Sequence, residues 1–307
     1  MNGAALAITG ATGFVGQALV DLAGANGMTV RALARRAQPA RPGVEWIAGE
    51  LGDAEALARL VDGAEAVIHV AGVVNAPDRA GFEAGNVAGT MAMLRAAQAA
   101  GVPRFVHVSS LAAREPQLSA YGASKARAER LVRASALDWT MVRPPWVYGP
   151  RDADTLEMFR AARLGVVPVP RGRASIIHVD DLARLLLATL PAGLLTTGKC
   201  YEPDDGRPDG WDHADLARAI GSAVRGRGSR LWVPRLPPRL LHIAARSDRL
   251  LRGAKARLTP DRAAYMSHPD WVTSPAARVP PALWQPQVPT REGLKATAEW
   301  YRAEGWL

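Results

Sequence analysis

Thr9-Gly10-Ala11-Thr12-Gly13-Phe14-Val15-Gly16 joins a short apolar run to the start of a helical pattern, and this stretch decides the fold. Glycines three residues apart let the backbone turn sharply and approach a pyrophosphate, while the N-terminus of a helix offers unpaired N–H groups to the anion. A strand, a glycine turn and a helix in this order predict a dinucleotide site. The residues expected to contact the cofactor are Gly10, Thr12, Gly13, Phe14, Val15 and Gly16.

On either side of this turn, apolar runs alternate with helical patterns. The expected strands are Ala4 to Thr9, Thr29 to Ala34, Ala66 to Val70, Phe105 to Ser109 and Thr140 to Val142. The expected helices are Val15 to Ala25, Asp53 to Leu60, Val87 to Ala100 and Tyr121 to Ala136, with Asp53 as an N-cap. This alternation predicts an α/β fold of the Rossmann type, a doubly wound parallel sheet with its ligand crevice beyond the carboxyl ends of the strands.

The regular alternation weakens where prolines become frequent. We therefore expect a dinucleotide-binding core over residues 1–143 and a smaller, irregular, mainly substrate-binding lobe over 144–307. A strand at Ile176 to Val179 and a helix at Asp181 to Leu190 predict that residues 175–190 return to the core.

Composition is that of a soluble globular protein, with 48% hydrophobic and 22% charged residues among 307. The single cysteine, Cys200, cannot form an internal disulfide, which fits a cytoplasmic location. We expect no metal site, because no Cys/His cluster has ligand spacing. We also expect no signal peptide and no transmembrane segment, since no apolar run reaches the length that a bilayer requires.

Positive charge is concentrated late in the chain. The formal net charge is +9, and ten basic residues stand against the lone acid Asp248 between Arg225 and Arg257. No nucleic-acid-binding motif accompanies them, so no nucleic-acid partner is expected. The overlapping segment Leu231 to Leu251 has three open interpretations: it lines the pocket, it makes peripheral contact with a membrane surface, or it packs on the core with a solvated basic face.

Two arginines bear on the choice of cofactor. Arg35 and Arg36 lie about twenty residues beyond the glycine turn, where NAD-binding proteins commonly have an acid for the ribose hydroxyls. A guanidinium there accommodates a 2′-phosphate, so NADP is favoured and NAD is the second candidate. The alternative is that both are solvated surface charges. Glu50 and Leu51 are expected at the adenine edge.

Tyr121 and Lys125 are the candidates for proton transfer. A separation of four places the phenol and the ammonium on one face of a helix. A free phenol has a pKa near ~10, and an adjacent ammonium helps to lower it. Ser110, at the end of an expected strand, is our candidate for the hydroxyl that binds the substrate oxygen.

Several motifs together resemble the extended short-chain dehydrogenase/reductase family, which includes sugar-nucleotide epimerases and 3β-hydroxysteroid dehydrogenase-like reductases. They are TGATGFVG, FVHVSS, YGASK, RPPWVYGPRD and IIHVDDLA, within residues 4–190. The resemblance implies that Ser110, Tyr121 and Lys125 are catalytic, with Lys125 also holding the nicotinamide ribose. It further implies that Ala71 and Gly72 line the cofactor, that Asn86 lies near the active site, and that Pro144 to Val147, including Trp146, contact nicotinamide and substrate. Glu50 departs from the family's usual Asp.

We therefore predict an NADP-preferring oxidoreductase that interconverts a ketone or aldehyde and an alcohol. Two alternatives stay open: a nucleotide-sugar epimerase with tightly bound NAD, and a non-catalytic nucleotide-binding subunit. The expected partner is a small-molecule substrate. The resemblance also implies a homodimer formed through the helices at Val87 to Ala100 and Tyr121 to Ala136.

Overall fold

The computed structural model describes residues 5–226, 228–253 and 258–307. Ala4 of the first expected strand, and Arg227, Lys255 and Arg257 of the basic segment, lie outside these residues. In chain order the strands are β1 (Ala5–Thr9), β2 (Val30–Ala34), β3 (Val44–Ala48), β4 (Ala64–His69), β5 (Arg104–Val108), β6 (Asp138–Val142), β7 (Trp146–Tyr148), β8 (Val169–Pro170), β9 (Arg173–Ala174), β10 (Ile176–His178), β11 (Lys199–Tyr201), β12 (Trp211–Asp212), β13 (Arg235–Leu236) and β14 (Asp270–Trp271).

The helices carry separate labels. They are α1 (Phe14–Ala25), α2 (Ala54–Val61), α3 (Arg79–Phe82), α4 (Gly89–Ala99), α5 (Ala120–Ala134), α6 (Leu156–Arg163), α7 (Val179–Ala188), α8 (His213–Arg225), α9 (Pro238–Arg252), α10 (Pro260–Met266) and α11 (Thr290–Ala303). A π-helical stretch, Glu83–Ala88, joins α3 to α4 and is called the π segment below. Short 3-10 turns lie at Leu111–Arg114 and Pro275–Ala277.

The chain divides into two compact units. The first comprises the chain up to Pro144 together with Leu182–Glu202 and Ala276–Gln285. The second comprises Pro145–Asp181, Pro203–Pro275 and Pro286–Leu307. The segment that rejoins the first unit thus lies further along the chain than the expected 175–190, and the second return, at Ala276, has no counterpart in the sequence analysis. That the second unit binds substrate stays a prediction.

The first unit is built on a parallel sheet. Within the described residues seven strands form it, in the order β11-β6-β5-β4-β1-β2-β3, and each pairing is parallel. Both β1 and β5 are buried along their whole length, as a parallel sheet covered on both faces requires. The strand order reverses between β1 and β4, and a crevice opens at such a switch point. The predicted doubly wound α/β fold is confirmed.

Most bounds differ from the expected ones by one or two residues, and three local assignments differ in kind. Residues 44–48 form β3, which is not among the expected strands. Val179 opens α7 and does not end the preceding strand, because β10 stops at His178. The chain is already helical before Val87, where a helix was expected to begin, since α3 and the π segment precede α4.

The second unit is more regular than its proline content suggested. Its helices α8, α9 and α11 have 13, 15 and 14 residues. Helices α6, α8 and α11 share an apolar core that includes Phe159, Ile220, Leu294 and Tyr301. Small sheets complete the unit: β7 pairs with β10, β8 with β13, and β9 lies between β12 and β14.

A separate small cluster holds α9 against α10. Leu241 and Ala245 of α9 pack on Ala263 of α10.

Among the described residues, no helix combines the length and the apolar character needed to cross a bilayer.

Candidate active site

The glycine turn, residues 9–16, has no room for side chains at two of its glycines. Gly10 has a φ of +71°, and a Cβ there would lie 2.6 Å from the backbone nitrogen of Ala71. A Cβ on Gly16 would lie 2.0 Å from the carbonyl oxygen of Gly10. The sequence therefore folds the end of β1, the start of α1 and the residues after β4 into close backbone contact.

The N-terminus of α1 is suited to an anion. Gly13 is its N-cap, no side chain caps the helix, and no acid stands in the first turn. The first N–H groups of a helix lack partners within the helix and carry partial positive charge. Thr12 and Gly13 are exposed, while Phe14 and Val15 are half-buried. This cradle fits the pyrophosphate of a dinucleotide, as the sequence predicts.

The two arginines expected to select NADP follow β2 directly. Arg35 and Arg36 are both exposed, and β2 runs parallel to β1. The carboxyl ends of the two strands therefore meet at one edge of the sheet, which places the guanidinium groups on the same side as the glycine turn.

Glu50 and Leu51 lie just beyond the next strand, β3. The Glu50 side chain is exposed, whereas Leu51 packs against the core beside Gly89, where a Cβ would lie 2.6 Å from Leu51 Cδ1. Asp53 caps α2, its carboxylate accepting the Ala56 N–H at 3.0 Å, which confirms the predicted cap.

A chain of buried hydrogen bonds fixes the residues after β4. The Thr90 hydroxyl donates to the carbonyl of Asn86, so His69 Nε2 donates to Thr90, at 3.1 Å. Nδ1 of His69 then accepts from the Thr9 hydroxyl at 2.7 Å, and Thr9 in turn accepts the Ala71 N–H at 3.3 Å. Burial, helped by the charge of Lys125, lowers the pKa of His69 to about 3, so this relay uses a neutral imidazole.

Asn86 connects three segments. Its side-chain oxygen accepts the Val73 N–H at 2.7 Å, and its amide nitrogen donates to the Val73 carbonyl and to the Ser124 hydroxyl, both at 2.9 Å. A Cβ on Gly72 would lie 3.1 Å from Asn86 Oδ1 and 3.6 Å from Lys125 Nζ. The structure thus brings Gly72 and Asn86, predicted on resemblance alone, to the ammonium of Lys125.

The proposed catalytic side chains stand on β5, on the residues after it and on α5. Lys125 is 4% exposed, and its ammonium donates to the carbonyl of Val108, the last residue of β5, at 2.8 Å. Ser110 follows two residues later, is buried, and accepts the Ala112 N–H at 3.2 Å. Tyr121, in the first turn of α5, is half-buried with its ring centroid 6.0 Å from that of Phe82.

The charge of Lys125 is set by two opposing effects. Burial lowers its pKa from 10.5 to about 8, and the negative charge of Glu129, one turn further along α5, opposes this fall. Lys125 therefore keeps an ammonium at neutral pH and approaches loss of its proton only slightly above it.

Sequence reasoning missed the buried network that holds Glu129. Arg143, just after β6, donates to both carboxylate oxygens of Glu129, at 2.8 and 2.7 Å, and the Ser109 hydroxyl donates at 2.6 Å. Arg143 also binds Glu202 at 3.2 Å, which Arg114 contacts at 3.3 Å. Burial alone would raise the pKa of Glu129. The hydrogen bond and charge of Arg143, the hydrogen bond of Ser109 and the charge of Arg133 together outweigh burial and hold the pKa below its ordinary value.

A second buried imidazole lies beside the first. His107 pairs in register with His69 across β5 and β4, and their rings stack with centroids 5.5 Å apart. Neither ring nitrogen of His107 has a hydrogen-bond partner within the described part of the chain. Burial, then the charges of Lys125 and His69, hold its pKa well below the ordinary value, so His107 is neutral.

The later predicted residues divide between the two units. Pro144 belongs to the first unit, where its carbonyl accepts the Leu111 N–H at 3.0 Å, next to Ser110. Trp146 and Val147 lie on β7 of the second unit. The Trp146 indole N–H donates to Thr155 in that unit at 2.8 Å.

Comparisons with known proteins identify the family of the chain. The family model described as NAD(P)H-binding matches residues 10–191. A protein named ceramide reductase from Caulobacter vibrioides is 40% identical over 317 aligned residues, covering 98% of this chain and 96% of the relative. A reductase of (4-alkanoyl-5-oxo-2,5-dihydrofuran-3-yl)methyl phosphate from Streptomyces griseus subsp. griseus is 31% identical, covering 82% of this chain and 89% of its own.

A likeness to solved structures supports the fold. MoeE5 in complex with UDP-glucose and NAD has a TM-score of 0.74 and 22% identity, covering 98% of this chain and 99% of that one. The chain belongs to the NAD(P)H-binding family, among the extended short-chain dehydrogenases/reductases, and is an NAD(P)-dependent oxidoreductase.

Proposed function

We propose that this enzyme reduces the ketone of a long-chain lipid of the ceramide class, preferring NADPH. The reaction class rests on the buried Lys125 ammonium one helical turn from Tyr121, beside the end of β5. The substrate class rests on 40% identity, over almost the full length of both chains, to the protein named ceramide reductase. A secondary alcohol such as that of ceramide is the product expected from a ketone reduction.

Three side chains have the chemistry for this step. When bound, the reduced nicotinamide supplies the hydride that the carbonyl carbon accepts. In our proposal the Ser110 hydroxyl donates a hydrogen bond to the carbonyl oxygen, and the Tyr121 phenol gives that oxygen its proton as negative charge develops. The ammonium of Lys125 stabilises the phenolate that remains and binds the nicotinamide ribose.

Preference for NADPH is proposed from Arg35 and Arg36. Both are exposed at the end of β2, where a guanidinium can pair with a 2′-phosphate. We expect the double variant Arg35→Ala, Arg36→Ala to weaken the binding of NADPH on the order of tenfold or more, with little change in the binding of NADH. Fluorescence titration with each nucleotide measures this, and equal losses for both would show that the arginines do not bind the phosphate.

The substrate proposal is tested with a small panel. Purified enzyme receives NADPH and a ceramide whose secondary alcohol is oxidised to a ketone, presented in detergent micelles, and mass spectrometry follows the gain of two hydrogens. A soluble short-chain ketone and a nucleotide sugar complete the panel. Turnover of the lipid ketone well above the soluble one supports the proposal, and turnover of neither ketone refutes it.

The same preparation separates the two alternatives. A nucleotide-sugar epimerase would release NAD from the purified protein on denaturation, visible by absorbance, and would convert the nucleotide sugar. The fluorescence of a non-catalytic subunit would be quenched on titration with NADPH, but the protein would turn over no member of the panel. The homodimer and the cytoplasmic location expected from the sequence stay predictions.

A further inference from the structure

Helix α9 exposes apolar side chains along one face. Leu240 and Ile243 are 49% and 59% exposed, and Leu250 and Leu251 are 87% and 85% exposed. At about 100° per residue these four positions fall within an arc of about 100° around the helix axis. They lie along one face of the helix as two pairs, with the exposed Ser247 between them, and we call this row of apolar residues the stripe. Large apolar residues left in water mark an interaction surface.

A different face of α9 holds the helix to the protein. Leu241 is 5% exposed and Ala245 is fully buried, and both pack on Ala263 of α10. The exposed stripe is therefore additional to the packing face. Packing with a solvated basic face, one of the three interpretations of the segment, thus accounts for Leu241 and Ala245 but not for the exposed leucines.

Arginines border the stripe. Arg239 and Arg246 are exposed and, by helical geometry, lie along one edge of it. The nearby acid does not neutralise them, because Asp248 pairs with Arg252 at 3.2 Å and accepts the Leu258 N–H at 2.9 Å. The surface thus combines apolar residues that prefer hydrocarbon with cations that prefer phosphate.

We propose that this surface binds an anionic lipid bilayer, with α9 lying in the plane of the interface. The stripe face, as we call it, is the set Leu240, Ile243, Leu250, Leu251, Arg239 and Arg246. The leucines enter below the headgroups while the guanidinium groups stay at the level of the lipid phosphates. A second copy of the chain is the less favourable occupant, because it would bring these arginines close to their own counterparts.

This inference deepens the proposed function, since a lipid ketone resides in a bilayer and the enzyme must reach it there. Vesicle binding is nevertheless measured without turnover, so the two proposals fail separately. An enzyme that reduces a different ketone would still bind vesicles if the stripe face is correct.

Co-sedimentation of the full chain with vesicles tests the proposal. We expect binding to vesicles of phosphatidylcholine with phosphatidylglycerol, weak binding to phosphatidylcholine alone, and a fall in affinity as salt rises. Leu250→Glu should weaken binding on the order of tenfold, because it removes an inserted leucine and adds a repelled carboxylate. Leu194→Glu, at a residue of the first unit that is 94% exposed, makes the same change in charge and should leave binding unchanged.

A second pair of variants tests the cations. Arg239→Gln with Arg246→Gln should weaken binding to the anionic vesicles about tenfold. Its control, Arg160→Gln with Arg218→Gln, removes two exposed arginines elsewhere in the same unit and should have little effect.

Several results would overturn the proposal. Equal losses in a test variant and its control would show that only net charge matters. Conversion of a dimer to a monomer by Leu250→Glu, seen by sedimentation, would assign the stripe to a second copy. A raised KM for a soluble ketone without vesicles would mean that α9 lines the substrate pocket.

Discussion

Helices α5 and α9 have 15 residues each, yet they depart from the usual inside-outside pattern in opposite directions. Helix α5 buries charge: Lys125 and Glu129 both lie inside the first unit. Helix α9 of the second unit exposes leucines beside arginines. Stability favours neither arrangement, because buried charges lose hydration and exposed apolar side chains order water. Our two proposals assign a function to each departure, chemistry in the first helix and attachment in the second.

The largest effect is expected from removing the proposed proton donor of α5. Tyr121→Phe keeps the ring beside Phe82 but lacks the hydroxyl, so we expect turnover to fall by about a thousandfold with cofactor affinity nearly unchanged. Steady-state kinetics and NADPH titration measure the two quantities. Tyr265→Phe on α10 is the control and should leave both unchanged. A Tyr121→Phe variant that works at the normal rate would remove the proposed role of α5.

The buried charges of α5 predict a pH dependence. The pKa of Lys125 lies at about 8, so its ammonium is present below that pH and is lost above it. We expect kcat/KM to fall as the pH rises through about 8. Glu129→Gln removes the negative charge that supports the ammonium, so the fall should begin at lower pH, with up to about tenfold less activity above pH 8.

An exposed pair of the same spacing is the control for this experiment. Lys295 and Glu299 stand at i,i+4 on α11, 3.7 Å apart and largely exposed. Glu299→Gln should leave the pH profile unchanged. If Glu129→Gln also leaves the pH profile of kcat/KM unchanged, the network around Glu129 supports the fold without changing the pKa of Lys125.

The smallest effect is expected on the free energy of unfolding, when two neighbouring leucines of α9 are compared. Leu241→Ala leaves a cavity against α10 and should lower the free energy of unfolding by about 2 kcal/mol. Leu240→Ala changes a half-exposed side chain and should cost less than about 0.5 kcal/mol. Urea unfolding of both variants measures the difference. Equal costs would mean that the stripe is covered in the isolated protein.

Local patterns predicted the first unit well. The glycine turn, the alternating runs and the Asp53 cap each depend on residues close in sequence, and the structure has them where they were expected. The charge network could not be derived in this way, since Arg143 meets Glu129 and Glu202 only after α5, β6 and β11 have come together. The available signal in the sequence was Arg143, a charged residue just after the apolar run of β6.

The second unit shows a different limit. Leu240 and Leu241 are adjacent and identical, and the periodicity of the segment is compatible with either of them packing inward. Only the position of α10 decides that Leu241 is the buried one. In the first unit His107 illustrates the same point, because its sequence context gives no sign that both ring nitrogens would lack partners within the described residues.

The π segment has a consequence for how this protein tolerates change. Its wider turns contain one residue more than an ordinary helix would use. With this extra residue, the Asn86 side chain points toward Val73 and Ser124. Deleting a single residue between α3 and Asn86 would change the position of Asn86 around the helix axis by about 100° relative to α3. Substitution scanning would therefore pass over much of this segment, whereas a scan of single-residue deletions would find one of the most sensitive positions in the chain.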